Sequence, residues 1–269
     1  MYCLSIMIHT AFHGRRRAIL RVLQRRRGEP RVALPRLQRE LGVSRSTLRR
    51  DLLELEHLGE VVRVRGGVMH ADFVRGEPSF ERRRASHIAE KKAIARRAAE
   101  CVPENATVYL DAGSTCLELG RLLVARPDLR IYTHSIRLLA DASAVDAQAS
   151  IVCLGGEYRQ VSEAVVGGLT AAWMSHLCFD LCFVAASGVA PEGCSTTEMS
   201  EMNVKQAMIR NSRTVILLAD SSKWAVPSSV RFDDWGGIDT WVCDAGLPAS
   251  ALAVVQRAGT QLITADRAG

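Results

Sequence analysis

Residues 41–67 read LGVSRSTLRRDLLELEHLGEVVRVRGG, and the first part of the chain is organised around them. Their spacing predicts a helix from residue 44 to about residue 58 that ends at Gly59, because leucines at 48, 52, 55 and 58 share one helical face. The opposite face centres on four side chains: Ser46, Arg49, Arg50 and Leu53. A leucine face for a core and a face with guanidinium groups and a hydroxyl are typical of a recognition helix, which enters the major groove of DNA.

Two helical segments precede this helix. Residues 15–26 carry apolar side chains on one side, and residues 34–41 form a second short helix. The leucines that point inward from the second segment are Leu34, Leu37 and Leu41. Gly42 makes the turn, and Ser44 is a good N-cap for the third helix. This order of elements predicts a helix-turn-helix motif.

A short β-like run follows the third helix. Apolar and basic residues alternate in residues 61–65, and Gly66 and Gly67 close the run, which predicts a wing. A lone basic helix is more often a solvated surface helix, but the preceding helices and the wing favour DNA binding. The candidate DNA contacts are hydroxyl and basic side chains: Ser44, Arg45, Ser46, Thr47, Arg49, Arg50, Arg63 and Arg65.

Residues 43–67 resemble a known family signature. A VS..T.RRDL..LE..G...R..GG pattern is typical of the N-terminal part of the DeoR family of bacterial transcriptional regulators, and this chain matches nearly every fixed position. The resemblance implies a winged helix-turn-helix that binds double-stranded operator DNA.

The distribution of charge favours the same interpretation. The 269-residue chain has a net charge of +6 and a hydrophobic content of 48%, which is ample for a core. Residues 1–75 contain sixteen Arg, no Lys and seven acidic residues, a balance of +9, and residues 76–269 contain nineteen basic and twenty-two acidic residues, a balance of −3. A basic first part on a slightly acidic remainder is the electrostatic pattern of a nucleic-acid-binding module joined to another domain.

Other features bound the class of protein. The eight cysteines form no CxxC pair and lack partners at metal-ligand spacing, so we expect reduced thiols and no metal. Residues 1–14 hold a short apolar patch without a signal-peptide layout, and we expect a disordered or loosely packed extension there. No stretch approaches membrane length, and we expect a soluble, cytoplasmic protein.

The rest of the chain predicts a second domain. Residues 71–86 are polar and charged and indicate a linker, and residues 87–101 indicate a helix. Seven β-prone apolar runs then alternate with helical segments: 107–110, 130–133, 150–154, 181–186, 214–219, 240–243 and 261–264. This alternation predicts an α/β domain with a mainly parallel sheet covered on both faces. The predicted divisions are a 1–14 extension, a 15–70 winged helix-turn-helix domain, a 71–86 linker and an 87–269 effector-sensing domain.

Polar or glycine-rich segments follow five of these strands, at the edge where parallel sheets bind ligands. They are DAGST (111–115), THS (133–135), GG (155–156), SG (187–188) and DSSK (220–223). In DAGST, the hydroxyls of Ser114 and Thr115 and a helix N-terminus can hold a phosphate, although an ordinary helix cap has the same letters. Lys205 and Lys223 are candidate charges for an anionic ligand, and each has the alternative of being a surface lysine.

The same segments extend the resemblance over residues 15–247. LDAGST, THS, LGGEYR, GLTAAW, ASGV, EMNVKQAM and LADSSKW occur in the order of the DeoR-family sensor domain, which is similar in fold to ribose-5-phosphate isomerase and typically binds a phosphorylated sugar or sugar intermediate. The resemblance implies effector-binding roles for Asp111, Gly113, Ser114, Thr115, Gly155, Gly156, Lys205 and Lys223. The strand-end positions add Thr133, Ser135 and Asp220. The chain departs from the family at Ser114, where Thr is frequent, and at His134, where Asn is frequent.

These observations lead to one main hypothesis and two alternatives. The chain is expected to be a transcription factor, a repressor of a carbohydrate-use operon that acts as a homo-oligomer (dimer or tetramer) and is released by a phosphorylated sugar, without a cofactor or catalytic residues. The first alternative is a sugar-phosphate isomerase-like enzyme with an accessory DNA-binding domain, in which Asp111, Glu201 or Asp220 acts as the base. The second is a non-specific architectural DNA-binding protein, which the large, near-neutral second domain disfavours.

Overall fold

The structure is a computed structural model that describes residues 14–16, 18–23, 31–57, 60–71, 77–226 and 228–266. Contacts within the chain divide it into two compact units, Met1–Ser79 and Phe80–Gly269. Residues 1–13 of the expected extension lie outside the described residues, whereas Gly14 is helical.

The described part of the first unit consists of three helices and a three-stranded antiparallel sheet. Helix α1 is described at residues 14–16 and 18–23, α2 spans Leu34–Leu41 and α3 spans Arg45–His57. Strands β1 (Arg31–Val32), β2 (Val61–Val64) and β3 (Gly67–His70) pair in the order β1-β3-β2. Buried side chains from all six elements form one core: Ile19, Leu23, Val32, Leu37, Leu48, Leu52, Leu55, Val61 and Val68.

Helix α3 confirms the predicted recognition helix. Its leucines at 48, 52 and 55 are buried, while Arg49, Arg50 and Leu53 are exposed on the other side. Leu58 and Gly59, predicted as the end of this helix, lie outside the described residues.

The turn before α3 also follows the prediction. Gly42 ends α2 with a φ of 64°, a left-handed conformation that glycine adopts without strain. The hydroxyl of Ser44 accepts a hydrogen bond from the backbone N–H of Thr47 at 3.2 Å, as expected of an N-cap. These two residues fix the angle at which the chain enters the recognition helix.

Two details of the first unit differ from the prediction. Leu34 is 43% exposed, because it is the first residue of α2 and lies beyond the part of the helix that covers the core. The wing is a hairpin in which Arg65 and Gly66 form the turn, so that Gly67 begins β3 instead of closing the run. Gly66 has a φ of 86°, which suits a two-residue hairpin turn.

A seven-stranded parallel sheet forms the centre of the second unit. Its strands are β4 (Thr107–Leu110), β5 (Arg130–Thr133), β6 (Ser150–Cys153), β9 (Phe179–Ala185), β12 (Ser212–Leu218), β14 (Thr240–Asp244) and β15 (Gln261–Ala265). They pair in parallel in the order β15-β14-β12-β9-β4-β5-β6. These are the seven strands predicted from the sequence, and the expected α/β class is confirmed.

Helices and two small antiparallel sheets surround this sheet. The helices are α4 (Phe80–Ala85), α5 (Ile88–Ala99), α6 (Ser114–Leu123), α7 (Ile136–Ser143), α8 (Gly168–Met174), α9 (Met199–Arg210) and α10 (Ala249–Ala258). One small sheet pairs β7 (Glu157–Arg159) with β8 (Ala164–Val166), and the other contains β10 (Gly188–Ala190), β11 (Gly193–Thr196) and β13 (Val230–Asp233). These short strands were not predicted from the sequence, because three or four residues give too little alternation to recognise.

Helix α4 lies inside the segment predicted as a linker. Phe80 is 1% exposed and belongs to the core of the second unit, so this half of the segment is structured. The linker boundaries at residues 71 and 86 stay a prediction.

The two faces of the large sheet bury two separate cores. Along β9, Leu181 and Phe183 belong to one core, and Cys182 and Val184 belong to the other. This alternation explains why the strands read as continuous apolar runs, since both faces are covered. Among the described residues, no helix has the length and apolar character needed to cross a membrane.

Candidate functional sites

The exposed face of α3 and the wing together form a basic groove in the first unit. Arg45, Arg49 and Arg63 line it. The other lining residues come from α2, from the buried face of α3 and from the hairpin: Leu34, Pro35, Gln38, Leu48, Leu52, Val64, Gly66 and Gly67. The groove therefore brings predicted DNA contacts from the recognition helix and from the wing onto one surface.

The remaining predicted DNA contacts lie at the ends of these elements. Ser44, Ser46 and Thr47 form a hydroxyl cluster, in which the Ser44 Oγ lies 3.0 Å from the Ser46 Oγ and 2.8 Å from the Thr47 Oγ1. Arg50 and Arg65 are exposed outside the groove lining. Because the Ser44 hydroxyl caps the helix, its first role is structural, and its contact to DNA stays a prediction.

Ion pairs hold the recognition helix and the wing in place. The Arg15 Nε lies 3.0 Å from the Asp51 carboxylate, which is 1% exposed, and thereby ties α1 to α3. The Arg63 Nε lies 3.1 Å from the Glu56 Oε2 and ties β2 to α3. The acidic residues of α3 therefore orient the helix, while its arginines remain on the exposed face.

A cavity lies at the carboxyl ends of the central strands of the second unit. Its lining comes from the turns after β4, β5, β9 and β12, from three of the surrounding helices, and from β8, β11 and the loop before β8. The lining residues are Arg83, Asp111, Ala112, Gly113, Ser114, Thr115, His134, Ser162, Ala164, Ala185, Ala186, Ser187, Thr196, Glu201, Lys205 and Lys223. Strands and helices that are far apart in the chain thus converge on one polar cavity.

Asp111, at the end of β4, is the most connected of these residues. Its carboxylate accepts hydrogen bonds from the backbone N–H groups of Ala112 and Ala185, each at 2.8 Å, and from the Lys205 ammonium. Burial alone would raise the pKa of this carboxyl, but the Lys205 charge and the contact with His134 outweigh it and hold the pKa well below its ordinary value. Asp111 is therefore ionised at neutral pH.

Lys205 is the buried partner of this carboxylate. It is 7% exposed, and its ammonium also donates a hydrogen bond to the Ala185 carbonyl at 2.8 Å. Burial opposes its charge, but Asp111 and then Glu201 raise its pKa, so the ammonium stays protonated. Much of the Lys205 charge is thus matched inside the protein.

His134 extends this network to a buried tyrosine. The His134 Nε2 lies 3.4 Å from the Asp111 Oδ1, and the His134 Nδ1 lies 2.8 Å from the Tyr109 hydroxyl. Burial, and then the Asp111 charge, raise the pKa of Tyr109 well above its ordinary value, so that its hydroxyl remains a donor. A protonated Nε2 facing Asp111 and an Nδ1 accepting from Tyr109 satisfy all three groups.

The first turn of α6 supplies hydrogen-bond donors to the cavity. Ser114 and Thr115 are 8% and 5% exposed, and both line the cavity. The first backbone N–H groups of a helix also have no partner within the helix, and they carry its positive dipole end. Gly113 lets this turn approach β9, since a Cβ at that position would lie 2.3 Å from the Ala185 Cβ. These donors surround a space that suits an anion.

A cluster of cations also lies at the cavity. Arg83 and Lys223 line it, and Lys91 lies behind Arg83. Burial lowers the pKa of Lys223, Asp220 opposes this shift and Arg83 adds to it. Burial also lowers the pKa of Lys91 to about 8, where Asp220 again opposes the shift and Lys223 and Arg83 add to it. Arg83, Lys91 and Lys223 therefore repel one another, and burial of the two lysines weakens the screening of their charges by water.

Five predicted effector residues do not line the cavity and have structural contacts instead. Thr133 donates to the Leu110 carbonyl at 2.9 Å, and Ser135 caps α7 by accepting from the Leu138 N–H at 3.1 Å. The others are Gly155, Gly156 and Asp220. The Gly155 carbonyl accepts a hydrogen bond from the Thr170 hydroxyl, and a Cβ on Gly156 would clash with the same hydroxyl. Asp220 caps the short helix of residues 221–223. Their roles as direct effector ligands stay predictions.

Six polar lining residues were absent from the predicted effector residues: Arg83, His134, Ser162, Ser187, Thr196 and Glu201. Arg83 lies in the segment predicted as a linker, and Ser162 lies in a loop beside β8. Thr196 and Glu201 form a pair in which the Thr196 hydroxyl donates to the Glu201 Oε2 at 2.5 Å, while the Arg159 Nη1 lies 3.0 Å from the Glu201 Oε1. Glu201 was named from the sequence as a possible base, and His134 and Ser187 lie in segments that were predicted to follow strands. The other three carry no such signal, because Arg83 lies in the predicted linker, Ser162 in a loop and Thr196 on a strand that was not predicted.

The cysteines and acidic residues show no metal cluster within the described part of the chain. The seven cysteines from Cys101 onward are free thiols. Burial raises the pKa of Cys116 and of Cys182 above the ordinary thiol value, so both behave as small apolar residues.

Comparison with known proteins matches both units. A model of the DeoR-like helix-turn-helix domain matches residues 15–72, and a model of the DeoR C terminal sensor domain matches residues 86–245. An uncharacterised HTH-type transcriptional regulator of Haemophilus influenzae is 32% identical over 231 residues, which cover 86% of this chain and 90% of the relative. The glycerol-3-phosphate regulon repressor of Escherichia coli is 30% identical over 225 residues, covering 83% of this chain and 88% of the relative.

Solved structures resemble parts of the chain more weakly. Ribose 5-phosphate isomerase A from Methanocaldococcus jannaschii is 17% identical over 50% of this chain and 53% of that chain, with a TM-score of 0.37. A similarity at this level supports no inference about activity. The matches to both domain models and to the curated relatives show that this chain belongs to the DeoR family of transcriptional regulators.

Proposed function

We propose that this regulator is a repressor of a carbohydrate-use operon and that a phosphorylated sugar bound in the cavity of the second unit releases it from DNA. The single observation that carries the effector class is the pair of hydroxyl-bearing residues in the first turn of α6, Ser114 and Thr115, which line the cavity. Ser114 and Thr115 face the same cavity as Lys223 and Arg83, so donors and positive charge converge on one space. This combination suits a phosphate.

The names of the relatives point to the same class of effector. They include the glycerol-3-phosphate regulon repressor of E. coli and the putative aga operon transcriptional repressor of E. coli O157:H7, which is 30% identical over 245 residues. Other polar groups that line the cavity, among them Ser162 and Ser187, are suited to sugar hydroxyls.

On DNA, we propose that α3 enters the major groove and the wing lies along the backbone. The exposed Arg49 and Arg50 contact bases or phosphates, and Arg63 and Arg65 contact phosphates or the minor groove. One such head offers few base contacts, so we propose that a dimer or tetramer binds paired half-sites. The protein acts in the cytoplasm, where its operator lies.

The coupling that release requires is modest. A 100-fold loss of operator affinity on effector binding corresponds to a coupling free energy of about 2.7 kcal/mol, within the range of allosteric proteins. An effector that favours an assembly in which the two heads no longer match the half-site spacing supplies this energy.

We further propose that the second unit has no catalytic activity. Two of the three carboxylates that could serve as a base are already engaged, Asp111 by Lys205 and Glu201 by Arg159 and Thr196. The third, Asp220, does not line the cavity. A base with a strongly lowered pKa is also a weak base. Turnover of ribose 5-phosphate by the purified protein, lost in Asp111→Asn, would reverse this conclusion.

The experiment that tests the proposed function is a mobility shift at fixed salt with the DNA upstream of the protein's own gene. We expect specific binding that one member of a sugar-phosphate panel releases. Unphosphorylated forms of the same sugars serve as controls and should not release the DNA. Equal affinity for random DNA, or release by the unphosphorylated sugar, contradicts the proposal.

A further inference from the structure

Arg83 differs in origin from the other charged residues of the cavity. It lies in α4, a six-residue helix that begins at Phe80, and the preceding residue, Ser79, is the last of the DNA-binding unit. The other lining cations, Lys205 and Lys223, come from α9 and from the turn after β12. The segment that continues from the DNA-binding unit therefore contributes directly to the effector cavity.

Both ends of α4 are attached to the second unit. Phe80 is buried in the core, and its N–H donates to the Val161 carbonyl at 3.0 Å. At the other end, the buried Lys91 ammonium donates to the carbonyl of Arg83 and, at 2.7 Å, to that of Ser86. These contacts hold the Arg83 backbone beside the cavity.

Arg83 and Lys223 bring two positive charges to the cavity, and Lys91 lies close to them. The Arg83 guanidinium carbon lies 5.8 Å from the centre of the Phe80 ring, and Lys91 and Lys223 lie close enough for their charges to be affected by it. Asp111 already balances Lys205. Asp220 acts on both Lys91 and Lys223, and Glu118 also acts on Lys91. A doubly charged phosphate would relieve the repulsion among Arg83, Lys91 and Lys223.

We propose that Arg83 binds the anionic group of the effector and that the bound effector thereby fixes α4. This helix is the first element of the second unit after the DNA-binding unit. A guanidinium presents two parallel donors to a phosphate, and it forms this contact in addition to its packing on Phe80. The bound anion then opposes local unfolding of α4 and holds the start of the second unit in one arrangement. This inference rests on the proposed function, because it assumes that the cavity binds a phosphate.

The test uses the full chain, inorganic phosphate as the probe and constant ionic strength, with Arg83→Gln as the variant. Arg84→Gln is the matched control: it removes the same charge from the same helix, but Arg84 pairs with Glu81 at 3.1 Å and does not line the cavity. Calorimetry should give about tenfold weaker phosphate binding for Arg83→Gln, which corresponds to ~1.4 kcal/mol, and unchanged binding for Arg84→Gln. Equal affinities of the wild type and Arg83→Gln overturn the inference, and so does an equal loss in both variants.

Hydrogen exchange separates the effect on α4 from the effect on affinity. Phosphate should slow exchange of the backbone amides of residues 81–86 in the wild type and in Arg84→Gln. It should leave exchange unchanged in Arg83→Gln, even at phosphate concentrations that saturate this variant. Slowing that persists in saturated Arg83→Gln overturns the role of Arg83 in fixing α4.

The variant Lys223→Ala distinguishes failure of this inference from failure of the proposed function. If Lys223→Ala loses phosphate affinity while Arg83→Gln keeps it, the phosphate site is supported and only the role of Arg83 is refuted. If the wild type binds no phosphate, the proposed anion site is wrong, and so is the inference about Arg83.

Discussion

Replacing Lys205 with methionine should destabilise the second unit by about 3–5 kcal/mol, because it removes one partner of a buried ion pair. Lys205 and Asp111 are 7% and 3% exposed, so water cannot replace the lost ammonium. The Asp111 carboxylate would keep its two backbone N–H donors, but it would lose the charge that holds its pKa low. The Ala185 carbonyl would lose a donor as well.

Urea unfolding followed by tryptophan fluorescence measures this effect directly. All four tryptophans, at 173, 224, 235 and 241, belong to the second unit, so the signal does not include unfolding of the DNA-binding unit. Lys92→Met is a matched control, since Lys92 is exposed on α5, and its cost should stay within about 0.5 kcal/mol.

The double variant Asp111→Asn/Lys205→Met tests whether the cost comes from the unpaired charge. Without a carboxylate to leave uncompensated, the double variant should be more stable than the sum of the single effects predicts, by at least about 2 kcal/mol. Two results refute the reasoning: a cost below about 1 kcal/mol for Lys205→Met, or strict additivity in the double variant.

Four further outcomes are expected. Arg49→Ala and Arg50→Ala should each cost about 1–3 kcal/mol of operator affinity without changing unfolding of the chain, and unchanged binding in both would contradict the recognition-helix assignment. Lys223→Ala should shift the effector dose-response at least about tenfold and leave DNA affinity alone, and a normal dose-response rules that role out. Gly113→Ala should cost about 1–3 kcal/mol of stability, since its Cβ would lie 2.3 Å from a side chain of β9, and a neutral result in urea unfolding would refute the close approach. Finally, the pKa of Asp111 is lower in the folded than in the unfolded protein, where it is about 3.9. The ionised carboxylate therefore stabilises the fold above about pH 3.9, and this stabilisation is lost as the pH falls below that value. The difference in unfolding free energy between the wild type and Asp111→Asn should shrink in that range, and a difference that stays constant down to about pH 2 would contradict the low pKa.

Local sequence determined much of the fold. The leucine spacing of α3, the glycine at 42 and the hydroxyl cap at 44 act over a few residues, so they predict the helix-turn-helix correctly. The seven apolar strands were also recognisable, because burial on both faces leaves an uninterrupted apolar run. The carboxyl ends of parallel strands lie at the same edge of the sheet, where ligands bind. For this reason Asp111, Ser114 and Thr115, which follow a strand, could be predicted as effector-site residues.

The tertiary structure decided which polar residues share the cavity. Arg83 belongs to a segment whose charge run is typical of a linker, and Thr196 lies on a four-residue strand, so neither carries a local signal of its position. Thr133 ends β5 and Ser135 follows it, yet both hydroxyls form hydrogen bonds to nearby backbone groups. Periodicity and strand order define which edge of the sheet receives the ligand, because they act along the chain. Which side chains face that ligand depends on contacts between residues far apart in sequence, and these arise only when the helices pack against the sheet.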